Sequence, residues 1–319
     1  MKRTRKRNVT VHDRGEFGLI GEIQRVIGQA RGSVVVGIGD DCAVLRGGHP
    51  DMYLLYTCDP AVEGVHYRRR DPPRQVGWKA MARNLSDIAA MGGVARWAIV
   101  SIGLRRGADV RWVKQLYAGL HAAARKFGCQ IVGGDTTHVN HEPFVVVALI
   151  GEVEKTRITL RRGAKIGDSI FVTGALGGSL RGKHLAFTPR IEEARWLVGN
   201  FPLHAMIDLS DGLSSDLQRL VERSGRGIGF EIHAAEIPIA RAARGSLAAA
   251  LNDGEDFELL FTIDPRHVTA LRKKWARRFR VQLTEIGRVV RSTHKVVLIE
   301  RDGSRRRLPP SGYDHFATR

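Results

Sequence analysis

Apolar residues follow two different patterns along the chain, and these patterns alternate. In residues 16–30, EFGLIGEIQRVIGQA, and 77–93, GWKAMARNLSDIAAMGG, apolar side chains recur at the spacing of an amphipathic helix. Residues 33–39, SVVVGIG, and 144–150, FVVVALI, are instead continuous apolar runs of strand length. The alternation predicts an α+β or α/β fold in which helices cover one face of each sheet.

The same patterns divide the chain into elements and two domains. Predicted helices cover residues 16–30, 77–93, 109–128, 209–225 and 267–279. Predicted strands cover residues 33–39, 52–59, 96–104, 129–135, 143–153, 169–174, 204–208, 257–264, 284–290 and 295–300. The pattern changes near Glu154, where glycine, lysine and arginine gather. We therefore expect an N-terminal domain of residues 1–154, with 1–10 as a basic tail, and a C-terminal domain of residues 155–319.

Composition and cysteine usage narrow the class of protein. The chain has 319 residues, of which 43% are hydrophobic and 26% charged, as in ordinary globular domains. Its longest apolar run, residues 144–150, is too short to cross a bilayer, and the N-terminus lacks the apolar segment of a signal peptide. Cys42, Cys58 and Cys129 are odd in number and include no CxxC pair. These features predict a cytoplasmic protein with no membrane partner and no zinc site.

The charge balance is strongly basic. The formal net charge is +18, from 51 lysines and arginines against 33 acidic residues. The basic residues cluster at positions 2–7, 68–70, 272–280 and 305–307. Such a surface permits non-specific binding to nucleic acid, and it also attracts phosphorylated substrates. Because no nucleic-acid recognition motif accompanies the charge, a solvated basic surface is the simpler interpretation.

Several aspartates share a local setting that favours a metal ion. Each follows an apolar strand or lies on the polar face of a helix, beside glycine, serine or threonine, where a ligand can approach closely. Carboxylates without neighbouring histidine or cysteine are hard oxygen donors, which suit Mg²⁺ or Ca²⁺ rather than zinc or copper. Any one of them alone is better explained as a helix cap or a turn residue, as for Asp168 in KIGDS. The set comprises Asp40, Asp41, Asp59, Asp87, Asp135, Asp208 and Asp211.

So many carboxylates repel one another and resist desolvation unless cations compensate their charge. Several Mg²⁺ ions would supply that compensation, and phosphate oxygens would complete their octahedral coordination. This combination is the chemistry of phosphoryl transfer, in which metals bridge the nucleotide phosphates and neutralise the charge that develops. The set of aspartates therefore predicts a magnesium-dependent kinase.

Two glycine-rich stretches resemble nucleotide-binding motifs without matching them. GIGDDC, residues 37–42, lacks the third glycine of a dinucleotide fingerprint. In GALGGSLRGKH, Gly177, Gly182 and Lys183 fit a P-loop, but His184 stands where serine or threonine should bind Mg²⁺. We expect Gly177 and Gly178 to permit a tight entry into a helix instead.

The ordered motifs of the chain carry a family resemblance. They include GEFGLI, GIGDDCAVL, TCDPAVEGVHY, VGWKAMARNLSDIAAMGG, IVGGDTT, GAKIGDSIFVTGALGGS, IDLSDGLSSDL, GEDFELLFT, TEIGRV and GYDHF. In this order they resemble the thiamine-monophosphate kinases of the aminoimidazole ribonucleotide synthetase-like (PurM-like) superfamily. The resemblance implies a two-domain PurM-like fold, with an N-terminal mixed sheet that forms a homodimer and a C-terminal α/β domain. It also implies ATP-dependent phosphorylation of thiamine monophosphate to thiamine diphosphate.

The resemblance further implies a role for each motif residue. The implied catalytic residues are Asp41, Asp87, Asp208 and Asp211. The implied Mg²⁺ ligands are Asp41, Thr57, Cys58 through its carbonyl, Asp59, Asp87, Asp135, Asp208 and Asp211. The residues implied to hold ATP are Tyr117, Gly134, Asp135, Arg161 and Ser210. The residues implied to hold thiamine monophosphate are His66, Glu255 and Tyr313. Without the resemblance, we would interpret His66 as a histidine packed at a strand end and Tyr313 as an anchor of the C-terminal segment.

Some positions depart from the family pattern, and two other functions stay open. Cys58 replaces a common threonine or serine, Asp253 replaces a usual glycine, and the segment at Lys183 and His184 diverges. One alternative is a related ATP-dependent synthetase with a different acceptor, although the reactive N-terminal cysteine of the selenophosphate branch is missing. The other is a basic nucleic-acid-binding protein that keeps an ancestral catalytic site in an inactive form.

Overall fold

The computed structural model describes residues 8–28, 30–293 and 295–316. Within these ranges the chain forms two mixed β-sheets and the helices that pack on them. The basic run at residues 2–7, most of the predicted tail, lies outside the described residues. No helix in the described part of the chain combines the length and the apolar character needed to cross a bilayer.

The first sheet is built from six strands of the N-terminal half: β1 (Val34–Val36), β2 (Ala43–Arg46), β3 (Met52–Val62), β4 (Val94–Leu104), β5 (Gln130–His138) and β6 (Phe144–Glu154). Their order in the sheet is β1-β2-β3-β6-β4-β5. The β4–β5 pair is parallel and the other neighbours are antiparallel, so the sheet is mixed as the resemblance implies.

Helices cover only one face of this sheet. The helices of this half are α1 (Val11–Ile27), α2 (Pro73–Ala90) and α3 (Val110–Lys126). α2 buries Met81, Leu85 and Ile88 in the core, and α3 packs against α2. On the opposite face Trp97 and Ile99 of β4 remain 42% and 44% exposed. This apolar surface, which we call the bare face, also carries the exposed Tyr56 of β3.

The second sheet belongs to the C-terminal half. Its strands are β7 (Ser169–Thr173), β8 (Leu203–Asp208), β9 (Ile228–His233), β10 (Leu259–Ile263), β11 (Leu283–Arg291), β12 (Val296–Ile299) and β13 (Arg305–Arg307), in the order β13-β12-β9-β11-β7-β10-β8. Within this sheet, as far as the structure describes it, β9 and β12 pair in parallel and all other neighbours are antiparallel. The helices of this half are α4 (Ile191–Asn200), α5 (Leu213–Ser224), α6 (Leu247–Asn252) and α7 (Val268–Arg278).

Both faces of the second sheet are covered. Val172 and Ile207 pack in one hydrophobic cluster with α5 and α6. Phe171 and Phe261 point the other way and join a cluster that contains α4 and α7. The prediction of helices on one face is therefore confirmed for the first sheet and wrong for the second. Every residue of β7 and β10 is buried, and such strands show continuous apolar runs because neither face meets water.

One hydrophobic core joins the two sheets. The cluster that contains Phe171 and Phe261 of the second sheet also contains Met81 and Leu85 of α2 and Val147 of the first sheet. α2 therefore lies between the sheets, and residues on it can face both halves of the chain.

The sequence patterns find most elements but not all of them. They do not predict β2, β9, β13, α4 or α6, which are short or lack a clear period. The predicted helix at 209–225 begins only at Leu213, so Asp208–Gly212 contain a strand end and a loop. The backbone of Ser210 and Asp211 therefore lies in this loop and not in the helix.

Two glycines set the close packing of α2 against α3. A Cβ atom at Gly77 would lie 1.9 Å from the carbonyl oxygen of Leu116, and one at Gly119 would lie 1.9 Å from that of Arg74. Both obstacles are backbone atoms, so the helices could only move apart. Large side chains would therefore separate α2 from α3 and displace the residues that α2 carries.

We expect Gly77→Ala to lower the free energy of unfolding by about 3 kcal/mol, because the methyl group overpacks the helix contact. Gly199→Ala in α4 is the matched control, since a Cβ there meets no atom within 4 Å and should add about 0.5 kcal/mol. Urea unfolding of both variants measures the difference. Equal stability of the two would contradict the packing described here.

Candidate active site

A cavity of about 910 Å³ lies where the two sheets meet. Its walls come from α1, the loop between β1 and β2, the end of β3, α2, the loop after β8, the loop before β10 and the C-terminal segment. Both halves of the chain therefore contribute side chains to one site. Its residues fall into a carboxylate end around Asp87 and a second end around Glu255.

Three aspartates from distant segments converge at the carboxylate end. One carboxylate oxygen each from Asp41, Asp87 and Asp208 lies within 4.8 Å of the others. Asp41 follows β1, Asp87 lies on α2 and Asp208 ends β8. The Asp41 side chain is fully buried, and its Oδ2 has no hydrogen-bond partner. The arrangement offers several oxygen ligands to one cation.

Neighbouring side chains orient each carboxylate of this cluster. The Thr57 hydroxyl donates to Asp87 Oδ2 at 2.5 Å, and the Ser86 hydroxyl donates to Asp208 Oδ2 at 2.6 Å. Arg161 Nη2 donates to Asp41 Oδ1 at 2.6 Å. Ser86 is on α2 and Asp208 is on the second sheet, so this bond links the two halves. The orientation of the cluster is thus built into the fold.

The electrostatics of the cluster favour binding of a cation. Burial raises the pKa of Asp87 well above its ordinary value, and the charges of Asp59 and Asp208 raise it further. Burial likewise raises the pKa of Asp208, with Asp41 adding to the effect. Burial and Asp41 raise the pKa of Asp40 to about 7. A divalent cation would relieve this repulsion, so the residues fit a hard metal ion.

Arginines neutralise the aspartates that lie beside the cluster. Asp59 lies 3.3 Å from Arg83 on α2. Asp211 forms a salt bridge with Arg219, which also contacts Asp216 at 2.9 Å. Asp40 accepts hydrogen bonds from the backbone N–H of Arg161. Sequence reasoning did not assign a role to Arg83 or Arg219, although Arg83 lies midway between Lys79 and Asp87 at helical spacing.

The other end of the cavity contains the residues predicted for the acceptor. His66 Nδ1 accepts the backbone N–H of Val62 at 3.1 Å, and burial lowers the pKa of His66 to about 2, so its ring is neutral. The ring of His315 lies 5.4 Å from that of His66 and 4.8 Å from that of Tyr313. Glu255 also lines this end, with a left-handed backbone at φ +59°.

Three predicted residues lie outside this cavity. Tyr117 packs on the helical side, and Gly134 and Asp135 lie on β5. Asp135 pairs with Ser101 of β4 and so shares the bare face with Ile99. β5 is three strands from β3, roughly 14 Å at the usual strand spacing. One copy of the chain therefore does not bring Asp135 to Asp59, whose carboxylate faces α2.

In the segment that resembles a P-loop, carboxylates of the same chain already accept the backbone N–H groups. The N–H groups of Gly177 and Gly178 donate to the carboxylates of Asp256 and Asp253, both at 2.8 Å. A short 3₁₀ helix follows Gly178, which confirms a tight turn into a helical segment. Asp253, the departure from the family pattern, thus ties the loop before β10 to this turn. Phosphate cannot use these N–H groups while the carboxylates hold them.

Family models match both halves of the chain. The model described as AIR synthase related protein, N-terminal domain, matches residues 39–153. The corresponding C-terminal domain matches residues 163–300.

Similar proteins match over most of their length. The thiamine-monophosphate kinase of Rhodopirellula baltica is 37% identical, covering 82% of this chain and 85% of that protein. The thiamine-monophosphate kinase of Aquifex aeolicus is 33% identical, covering 95% and 98%. The solved structure of AaThiL complexed with AMPPCP and TMP superposes with a TM-score of 0.83 at 32% identity, covering 97% of this chain and 100% of that one. Sequence and fold therefore point to one group of proteins.

Proposed function

The chain belongs to the thiamine-monophosphate kinases within the AIR synthase related family, and we propose that it transfers the γ-phosphoryl group of ATP directly to thiamine monophosphate at a magnesium site. The observation that carries the proposal is the convergence of Asp41, Asp87 and Asp208. A relative at 32% identity has been solved as a complex with AMPPCP and TMP, which supports a cavity that holds nucleotide and acceptor together.

Mg²⁺ is the cation that suits this cluster. All three groups are carboxylates, and Asp41 Oδ2 is buried without a hydrogen-bond donor. We assign Asp41, Asp87 and Asp208 as ligands, with the nearby Thr57, Asp59, Asp211 and the Cys58 carbonyl as candidates for further ions. When bound by these residues, Mg²⁺ would supply positive charge that neutralises the charge developing on the transferred phosphoryl group.

The transfer itself needs little covalent help from the protein. A phosphate oxygen of thiamine monophosphate forms a bond to the γ-phosphorus, and the bond from that phosphorus to the β,γ-bridging oxygen breaks as ADP leaves. The attacking oxygen is already an anion, so no side chain has to remove a proton. Arg161 lines the cavity beside Asp41 and is placed to neutralise nucleotide phosphate. Ser210, on the loop after β8, also lines the cavity.

The acceptor would lie at the end of the cavity that holds His66, Glu255 and Tyr313. The Glu255 carboxylate can accept a hydrogen bond from the aminopyrimidine of thiamine, and the Tyr313 ring can stack on an aromatic ring. The acceptor phosphate would then point toward the aspartates. This placement gives the two ends of the cavity different roles.

We propose that the bare face forms a homodimer, with residues 1–154 as the nucleotide-binding and dimerisation domain and 155–319 as the C-terminal domain. Trp97 and Ile99 are exposed apolar residues on β4, an inner strand of the sheet, and such a surface is typical of an interface. Gly134 and Asp135 lie on or beside this face, away from the cavity of their own chain. Their predicted roles with ATP and Mg²⁺ therefore require a second copy.

We expect Ile99→Asp to convert the dimer to a monomer, because a charge would be buried in the apolar interface. ADP release should fall with dimer content if the second copy completes the site. Val110→Asp is the matched control, since Val110 is 66% exposed on α3, away from the bare face. Light scattering after size exclusion measures the mass of each variant. A wild-type monomer with full activity would overturn the proposed dimer.

The proposed function is tested by ADP release with ATP, Mg²⁺ and thiamine monophosphate, and by identifying thiamine diphosphate as the product. Chelation of divalent ions should stop the reaction, and added Mg²⁺ should restore it. Turnover with another phosphorylated acceptor alone would favour a related synthetase. Salt-dependent binding of nucleic acid without any turnover would favour an inactive site on a basic protein.

A further inference from the structure

Lys79 is a buried lysine that the function described above does not use. It lies on α2, and its side chain is only 1% exposed. Its Nζ donates to the carbonyl oxygen of His66 at 2.6 Å, contacts Nδ1 of His184 at 2.9 Å and lies 2.5 Å from Glu255 Oε2. The contacts with His66 and His184 are hydrogen bonds, and the contact with Glu255 is a close ion pair, so all three partners surround one buried ammonium group.

The partners of Lys79 belong to the acceptor end of the cavity. His66, His184 and Glu255 all line it, whereas Lys79 lies behind them. Because Lys79 donates to Nδ1 of His184, that ring must carry its proton on Nε2. Lys79 therefore fixes the tautomer of the His184 ring and the position of the Glu255 carboxylate.

Glu255 needs such support because its backbone is strained. Its φ of +59° lies in the left-handed region that glycine favours, and Gly254 before it has φ +70°. The backbone N–H of Glu255 donates to the Ser210 carbonyl at 2.7 Å, which holds the chain but not the carboxylate. Strain of this kind persists where surrounding contacts over-determine it. The contact with Lys79 supplies the side-chain part of that restraint.

α2 sets the distance between the two ends of the site. Lys79, Arg83 and Asp87 are four residues apart, so they lie on one face of the helix. Lys79 contacts Glu255, Arg83 contacts Asp59 and Asp87 belongs to the aspartate cluster. Eight residues of helix span ~12 Å. A rigid helix thus spaces the acceptor-binding carboxylate from the metal-binding carboxylates.

We propose that Lys79 is a positioning residue for the acceptor: it holds the Glu255 carboxylate and the His184 ring in place to recognise the aminopyrimidine of thiamine monophosphate. This inference rests on the proposed function and deepens it. Lys79 touches neither substrate, so its effect is on acceptor affinity and discrimination. Recognition of ATP, which occupies the other end, is independent of it.

Lys79→Met tests this role. We expect the KM for thiamine monophosphate to rise about tenfold or more, with the KM for ATP unchanged. Oxythiamine monophosphate, in which a carbonyl replaces the pyrimidine amine, should be rejected less strongly by the variant than by wild type. Arg195→Met is the matched control, because it breaks the salt bridge of Arg195 with Glu154, which is remote from the cavity. It should leave both KM values unchanged.

A second variant separates positioning from folding. Lys79→Met leaves the Glu255 carboxylate without its cation and should lower the melting temperature. Adding Glu255→Gln removes that unpaired charge and should restore stability, but the KM for thiamine monophosphate should stay high. Return of the KM together with stability would show a purely structural role and would overturn the inference.

Calorimetric titration with thiamine monophosphate distinguishes failure of this inference from failure of the proposed function. If wild type turns over thiamine monophosphate but Lys79→Met binds it equally well, only the role of Lys79 is wrong. If wild type neither binds nor phosphorylates it, the proposed function and the inference both fall.

Discussion

Replacing Asp87 with asparagine is expected to reduce ADP release with thiamine monophosphate by about 10³-fold or more, equivalent to about 4 kcal/mol of transition-state stabilisation. The carboxylate lies within 4.8 Å of those of Asp41 and Asp208, and an amide oxygen carries no full charge to hold Mg²⁺. Thr57 can still donate to the amide oxygen, so the local geometry is kept. Steady-state kinetics at saturating Mg²⁺ measure the loss.

The same substitution is expected to stabilise the metal-free protein by roughly 1 kcal/mol or more, because it removes one of several mutually repelling buried charges. Burial places the folded-state pKa of Asp87 above its ordinary 3.8, so folding binds a proton that the unfolded chain releases. The contribution of Asp87 to stability therefore falls as pH rises above about 4, and the advantage of the variant over wild type grows over that range. Thermal melts across pH, without metal, measure it.

Mg²⁺ should then raise the melting temperature of wild type but not that of Asp87→Asn. Asp302→Asn, which changes an exposed turn carboxylate, is the control and should behave as wild type. A variant that keeps full activity, or that gains the same protection from Mg²⁺, would refute the metal site. Loss of activity with loss of folding would instead point to a structural role.

Replacing Glu258 with glutamine is expected to have the opposite effect on stability, a loss of about 3–5 kcal/mol. Its carboxylate is 1% exposed and accepts from Thr173 at 2.8 Å, Lys183 at 2.9 Å and Arg190 at 2.6 Å. These contacts compensate the buried charge, unlike the oxygen of Asp41 that lacks a donor. The amide would remove the counter-charge that Lys183 and Arg190 contact most closely, and Arg190 would keep only Glu193, at 3.6 Å. Urea unfolding measures the loss.

The control for this prediction is Glu300→Gln. Glu300 forms an exposed salt bridge with Arg306 at 2.6 Å, and such pairs contribute less than about 1 kcal/mol. A loss at Glu258 no larger than the loss at Glu300 would contradict the buried network. It would also reopen the role of Lys183, whose ammonium group that network holds on Glu258.

Several features of the fold and the site follow from local sequence. Apolar residues form clear strand or helix patterns in β3, β6, α2 and α3, so the positions of these elements could be predicted. Asp41, Asp59, Asp87 and Asp208 could be named as candidates because each lies at a strand end or on a polar helix face. The roles of these residues came from the family resemblance and remain proposals.

Other features depend on contacts that local sequence does not show. Lys79 has the same helical spacing as any surface lysine, and it is buried by packing against the separate segments that carry His66, His184 and Glu255. Gly177 and Gly178 match part of a phosphate-binding pattern, yet Asp256 and Asp253, far along the chain, take their N–H groups. The placement of Asp135 depends on the order of the strands and on their register. The alternation of side chains along a single strand defines neither of these.

The sequence by itself determined the two alternating patterns, the oxygen-rich character of the site and the membership of the kinase family. Tertiary structure decided which carboxylates converge and which lie apart, because α2 and the two sheets bring residues from both halves within a few ångströms. It also decided which charges are compensated, since burial and a partner's position, rather than residue type, set the energy of a charge.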